Sequence, residues 1–214
     1  MKAEDQPIIQ CGEYQSLPET TADLDWMEMR ILDFSLFDKS GGKNKLALQL
    51  KHAIHNLGCF YIINFGLSQD DIAQQFSLAT STFSLPQSEK NKFIDCKSNP
   101  TLGYKPTGER VMTQGIRDAV EIYDDLKCSS FFGPYLRPPP CVKQKGETEH
   151  FCKAIHEQAL HRLLVLTAII MEMADKESLS VIHGFDTMSE SRMRYMIQHP
   201  RSEELALFRF EYAI

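Results

Sequence analysis

The chain has 214 residues, 43% of them hydrophobic and 24% charged, with a net charge of −6 at pH 7. That length allows one large domain or two small ones, with enough apolar material for a packed core. The acidic balance has no dominant basic patch, which argues against nucleic acid and anionic membranes as partners.

The first ten residues, MKAEDQPIIQ, contain no apolar h-region, so no signal peptide is expected. The longest apolar run, LLVLTAII from Leu163 to Ile170, is too short to span a bilayer. Six cysteines (Cys11, Cys59, Cys96, Cys128, Cys141, Cys152) are scattered without a C-x-x-C pair. They read as free thiols rather than a disulfide framework, and a cytoplasmic location is the expectation.

Residues 1–25 are polar and lack a period, which predicts a loose arm. MRILDFSLF (Met29 to Phe37) reads as a short strand, followed by a turn at Gly41 and Gly42. Leu46, Leu50, Ile54 and Leu57 recur at helical spacing, so Lys45 to Leu57 is an expected helix, closed by Gly58 as its C′ residue. CFYIIN (Cys59 to Asn64) is a continuous apolar strand, expected to be covered on both faces. Ser68 and Asp71 start the next helix as a variant capping box, with Ile72, Phe76, Ala79 and Phe83 as its buried stripe. Pro86 closes that helix and opens a shorter one, PQSEKNKF.

From Asp95 to Gln114 the chain reads as a loop containing the turn GYKPTGER. AVEIYDDL (Ala119 to Leu126) reads as a strand. FFGPYLRPPP (Phe131 to Pro140) reads as an extended connection, excluded from helix by its prolines, and as the best domain boundary. A long helix is expected from Glu147 to Asp175, with Phe151, Ile155, Ala159, Leu166, Ile170 and Met173 along one face. Two strands close the chain: the first, Met193 to Gln198, precedes the turn HPRSEE, and the second is Phe208 to Ile214.

Three groups of residues invite a chemical reading. HEQALH (His156 to His161) nearly matches the zinc-protease motif H-E-x-x-H, but its second histidine stands five residues on. On a straight α-helix that spacing turns the second ring by about 140°, away from a shared metal. Cys141, His150, Cys152, His156 and His161 form a looser cluster. Cys152 and His156 share a face at i,i+4, and at most three of the five groups could converge on a zinc ion. Asp118, Glu121, Asp124 and Asp125 surround a strand; alternation puts the first and third on one face and the other two opposite. Paired carboxylates can serve as acid and base, but a solvated edge is the expected role here. Neither a P-loop, a dinucleotide fingerprint nor a G-x-S-x-G elbow is present.

The order of the pieces carries a further signal. A strand with Asp (ILDFSLF) precedes AIHNLGCFYIINFGL, a helix ending in Gly that leads into a strand. FSLPQSEKNKF, GYKPTGER and RDAVEIYD come next, and SRMRYMIQHPR comes after the long helix. This succession, from Ile31 to Arg201, resembles the iron(II)/2-oxoglutarate-dependent dioxygenases of the isopenicillin N synthase type. The resemblance implies an α+β fold: an N-terminal domain over 26–130, then 131–214 as linker, long helix and first strands of an incomplete double-stranded β-helix (jelly roll). It implies an oxidoreductase acting on a small organic molecule with Fe(II) and 2-oxoglutarate as cofactors.

The residues depart from that pattern. Phe65 stands where the family usually has the His of an Asn-His-Gly turn, and Gln198 and His199 precede Pro200 where many members carry Tyr. The family's iron site needs two His and one carboxylate, with an H-x-D or H-x-E signature. Two residues after the seven histidines stand Ile54, Leu57, Cys152, Gln158, Leu163, Phe185 and Arg201, none of them acidic. Arg194 and Arg201 come too early for the arginine that forks onto 2-oxoglutarate. The expectation is a chain cut short of its iron site, inactive as written, with no catalytic, cofactor or metal residue assigned and neither cofactor bound. Two alternatives stand beside it. One is a non-catalytic module pairing with an intact paralogue through exposed C-terminal strand edges, and the other is a metalloenzyme with a different ligand set.

Overall fold

A computed structural model describes residues 14, 18–94, 102–111, 115–126, 135–189 and 191–200. The fold is mixed α+β, with helices and two small sheets. The chain forms two compact units: one takes its described residues from 14–74 and 146–189, the other from 75–145 and 191–200. Among the described residues, no helix is long and apolar enough to cross a membrane.

The first unit is built on a β-α-β crossover. Strand β1 (Arg30–Asp33) pairs in parallel with β2 (Phe60–Ile63), and α1 (Gly42–Asn56) connects them. The expected strand Met29 to Phe37 is shorter than its apolar pattern, because Asp33 ends it. Its Oδ1 accepts from Ser35 N at 3.0 Å and from Asn64 Nδ2 at 2.8 Å, and the chain coils into a 3₁₀ turn at Phe34–Leu36. That turn buries Phe34 with Leu32, Leu46, Leu50, Val165 and Leu166. Gly42 is required where α1 begins: a Cβ there would sit 1.8 Å from the Leu36 carbonyl oxygen. Gly58 ends α1 as expected, at φ 75°, donating to Ala53 O at 3.0 Å.

Strand β2 is not covered on both faces. Phe60 and Ile62 pack on the core, while Tyr61 remains 55% exposed and Ile63 is also open. A continuous apolar run could not reveal which side stays bare.

The expected long helix is α5 (Lys145–Ala154), a π-helical turn (Ile155–Leu160) and α6 (His161–Ile170). The π turn advances the helix out of phase, so of the expected stripe only Phe151 and Leu166 are buried. The helix stops at Ile170 rather than Asp175. Glu172 adopts φ 55° and donates to Ile169 O, and Met173 N donates to Ala168 O, a Schellman closure. A short helix, α7 (Ser178–Ile182), comes next.

Helix α2 (Gln69–Phe83) carries the chain from the first unit into the second. Its capping box is formed: Ser68 N and Oγ both donate to Asp71 Oδ2, and Asp71 N donates back to Ser68 Oγ at 3.1 Å. Its buried face is Gln75, Leu78, Ser81, Thr82 and Phe83, so of the expected stripe Phe83 is buried, while the rest is displaced by about one residue and Phe76 is 49% exposed. Gln75 is buried because its Oε1 accepts from Tyr195 OH at 2.8 Å, and Thr82 because its hydroxyl returns to Leu78 O.

In the second unit, α3 (Gln87–Lys90) comes after Pro86, and an antiparallel sheet has the order β3 (Gly103–Lys105), β4 (Val120–Leu126), β5 (Arg192–Gln198). Strand β3 lies in the stretch expected to be loop. Its ladder partner β4 pulls it into the sheet, Gly103 opposite Asp124 and Lys105 opposite Ile122. Pro139 and Pro140, expected in an extended connection, open α4 (Pro139–Lys143), because the first turn of a helix needs no amide donors. Leu78, Phe83, Phe93, Tyr104, Tyr123, Cys141 and Tyr195 form this unit's core. The expected strand Phe208 to Ile214 and the cysteines Cys11, Cys96 and Cys128 lie outside the described residues.

Candidate functional site

The carboxylates of β4 are not a solvated edge. Glu121 and Asp125 are buried, and Asp124 has no accessible surface. The central position of β4 causes this: β3 and β5 flank it and supply cations that the local sequence does not contain. Tyr104 and Tyr195 lie opposite Tyr123 in the ladders, and the rings of Tyr123 and Tyr195 stack at 6.5 Å.

Each carboxylate has its own set of donors. Glu121 Oε1 accepts from Lys90 Nζ at 2.5 Å and from Tyr104 OH at 2.6 Å, and Oε2 meets His199 Nε2 at 2.8 Å. Lys90 Nζ also donates to Phe83 O at 3.1 Å. Asp124 takes a two-pronged contact from Arg194, Nε to Oδ1 at 2.6 Å and Nη2 to Oδ2 at 2.9 Å, and a third bond from Lys105 Nζ at 2.6 Å. Asp125 accepts from Tyr135 OH and from Arg137 Nε, whose guanidinium also lies over the Tyr135 ring at 4.0 Å. Asp118, at the approach to the strand, accepts from Gly108 N at 2.7 Å.

These contacts set the charge states. Burial pushes Glu121 upward, but the hydrogen bonds from Lys90, Tyr104 and His199 outweigh it and hold the carboxyl below its ordinary range. Burial likewise opposes ionisation of Asp124, and the bonds from Arg194 and Lys105 again leave it lowered. Tyr104 is pushed the other way, by burial first and by its bond to Glu121 second, so its phenol stays protonated. The Cys141 thiol, buried against Thr82 Oγ1 at 3.4 Å, is pushed up to about 12 and is an inert core group. Carboxylates ringed by cations in this way are fixed anions that tie strands together. A general base must itself keep an open acceptor position within reach of a substrate proton.

The other sequence candidates do not assemble. Cys141 belongs to the second unit's core, whereas His150, Cys152, His156 and His161 belong to the first unit. The straight-helix argument against His156 and His161 is corrected by the π turn: His161 N donates to His156 O, an i,i+5 closure that brings such residues toward one side. Their rings nonetheless have different partners. His156 meets the edge of Phe185 at 5.4 Å, and His161 Nε2 meets Glu177 Oε2 at 2.8 Å. Among the described residues, no group of three or more His, Cys, Asp or Glu is arranged to hold a metal ion.

The described residues do not fit a mononuclear iron site. Of the two histidine–carboxylate pairs just described, His199–Glu121 has the Lys90 ammonium 2.5 Å from the same carboxylate, where it would repel a dication. The other, His161–Glu177, is a surface pair, about half exposed. Arg194 is occupied by Asp124. Lys90, His199 and Arg194 were not foreseen as partners of these carboxylates. The signal for them was the odd placement of three carboxylates among Ile122, Tyr123 and Leu126 in one strand, which requires matching cations elsewhere.

Comparison with known proteins places this architecture. A family model described as the N-terminal domain of the non-haem dioxygenase in morphine synthesis matches residues 29–139, just over half the chain. The chain is 35% identical over 104 residues to kihadalactone A synthase of Citrus sinensis, covering 44% of this chain and 30% of that protein. It is 34% identical over 89 residues to homoarginine-6-hydroxylase of Arabidopsis thaliana, covering 40% and 26%. The chain thus aligns with about a third or less of the length of these two relatives. In fold, it is similar to a full-length Neurospora crassa protein crystallised in complex with alpha-KG, with TM-score 0.64 and 17% identity over 92% of this chain and 62% of that one. A 2OG-Fe(II) oxygenase family protein from Caulobacter crescentus gives TM-score 0.66 and 18% identity over 82% and 57%. By the family match that spans residues 29–139, this chain belongs to the Fe(II)/2-oxoglutarate-dependent dioxygenase superfamily.

Proposed function

We propose that these 214 residues supply the supporting part of a 2-oxoglutarate-dependent oxygenase fold and do not themselves oxidise a substrate. In this reading, 26–130 is the N-terminal domain, and 131–214 supplies the linker, the long helix and the first strands of a jelly roll. The observation that carries it is the occupancy of the charged and ligand-type side chains: His199 is held by Glu121, Glu121 by Lys90 and Tyr104, and Arg194 by Asp124. The longer relatives named above are a synthase and a hydroxylase, which supports a small organic molecule as the substrate class of a longer protein containing this scaffold. The free thiols Cys59, Cys141 and Cys152 suit a reducing compartment, and we infer the cytoplasm. The test is succinate release from 2-oxoglutarate by the purified chain with Fe(II), ascorbate and oxygen. Release at the level of a denatured-protein blank is expected, and iron-dependent turnover overturns the proposal.

A second reading has its own observation. Strand β5 pairs with β4 alone among the described strands, and its Met196 and Ile197 are solvent-exposed. An apolar sheet edge of this kind suits a binding module that pairs with another chain, such as an intact paralogue. Co-purification with a full-length relative supports it; a chain that stays monomeric in the relative's presence removes it.

A further inference from the structure

We propose that residues 175–188 form a detachable strap on the first unit, clasped at two points by the histidines that the π turn brings to one side of the long helix. The clasps are His161 Nε2 with Glu177 Oε2 at 2.8 Å, and the ring of His156 against the edge of Phe185 at 5.4 Å. On an uninterrupted α-helix, residues five apart face directions about 140° apart and could not both meet one short segment. The i,i+5 bond from His161 N to His156 O removes that obstacle.

The strap keeps its own shape. Glu177 N donates to Asp175 Oδ1 at 2.9 Å, and Ser180 Oγ donates to Glu177 Oε2 at 3.1 Å. Gly184 N donates to Val181 O and Thr187 N to Gly184 O. It gives little to the core. No residue of α7 is buried, and Val181 and Ile182 are 71% and 69% exposed, with Met188 equally open. A segment with local hydrogen bonds and few buried apolar contacts is the kind that opens without the rest of the protein.

A hinge stands at its start. Glu172, at φ 55°, holds a left-handed conformation that residues other than Gly and Asn seldom adopt. The Schellman bonds at Glu172 and Met173 finish α6 without help from the strap, which can therefore swing without unwinding that helix.

Hydrogen exchange with mass spectrometry on the full chain tests this. Peptides covering 178–184 are expected to exchange at least about tenfold faster than those of α6, as a separate opening event. His161→Ala is expected to raise the strap's rate about two- to fivefold, the range for one exposed hydrogen-bonded pair, and to leave α1 and α6 unchanged. His156→Ala, which removes the other clasp, is expected to act in the same direction, and the double variant to exceed either. Exchange of the strap at the α6 rate overturns the proposal. So does acceleration of strap and α6 together, or strap rates indifferent to both substitutions.

Discussion

Glu121 and Asp124 are three residues apart on one strand and are stabilised by different kinds of partner. Lys90, the cation on Glu121, is itself buried, whereas Arg194, the fork on Asp124, is partly exposed. Removing Glu121 therefore strands a buried ammonium, and removing Asp124 leaves the Arg194 guanidinium and the Lys105 ammonium, both of which water can reach. Glu121→Gln is expected to cost about 3–5 kcal/mol, and Asp124→Asn less, about 2–3 kcal/mol after screening of the exposed partner. Urea unfolding of the two variants checks the order. Both carboxyl groups are lowered on folding, so their contribution is complete above the unfolded carboxylate range, near about 4, and is lost as pH falls below it through the folded values. Acid titration of thermal stability should show this loss in the native chain and a weaker slope in each variant. Strand alternation separates Asp124, with its partners Arg194 and Lys105, from Glu121 and Asp125, whereas Asp118 lies outside the strand. Their burial was not legible, because Lys90 lies 31 residues from Glu121 and Arg194 lies 70 residues from Asp124.

At the scale of elements, local rules reached furthest where the cause is local. The capping box of α2 depends on four consecutive residues, and the sequence displayed it complete. Ser68→Ala should lower stability by about 1 kcal/mol, measured by thermal melting, because it removes the hydroxyl that caps Asp71 N. Asp71 should also lose part of its downward shift, since Ser68 is the first cause of it. The buried face of the same helix was misjudged by one position, because its choice depends on Tyr195 and Cys141, distant in sequence. The π turn was invisible for a different reason. It inserts slack into a helix whose composition stays helical throughout, and nothing in IHEQAL distinguishes an i,i+5 closure from an i,i+4 one. Strand β3 was lost in a Pro- and Gly-rich stretch whose strand character comes from its partner β4.

For the whole molecule, the family was legible from the order of several weak pieces, none of which identifies it alone. The chemistry was legible only as a mismatch, since the histidines stand at positions with no acidic residue two places on. The edge strand bears on behaviour in solution. Replacing Met196 and Ile197 with lysine should reduce concentration-dependent association in light scattering while leaving the far-UV circular dichroism unchanged. Association that persists in this double variant would place the contact elsewhere.

The first unit is also discontinuous along the chain, and this has a consequence during synthesis. Strands β1 and β2 and the helix between them are complete once Ile63 has been made, yet their core also takes Val165 and Leu166 from α6. About 100 residues separate the two contributions, which at roughly 5–20 residues per second is a delay of roughly 5–20 s. Throughout that interval Leu32, Leu46 and Leu50 lack part of the covering that they have in the finished protein. A ribosome that pauses while making the second unit prolongs this exposure, so codon choice between Gln75 and Lys145 governs how long the nascent chain presents a surface for chaperones.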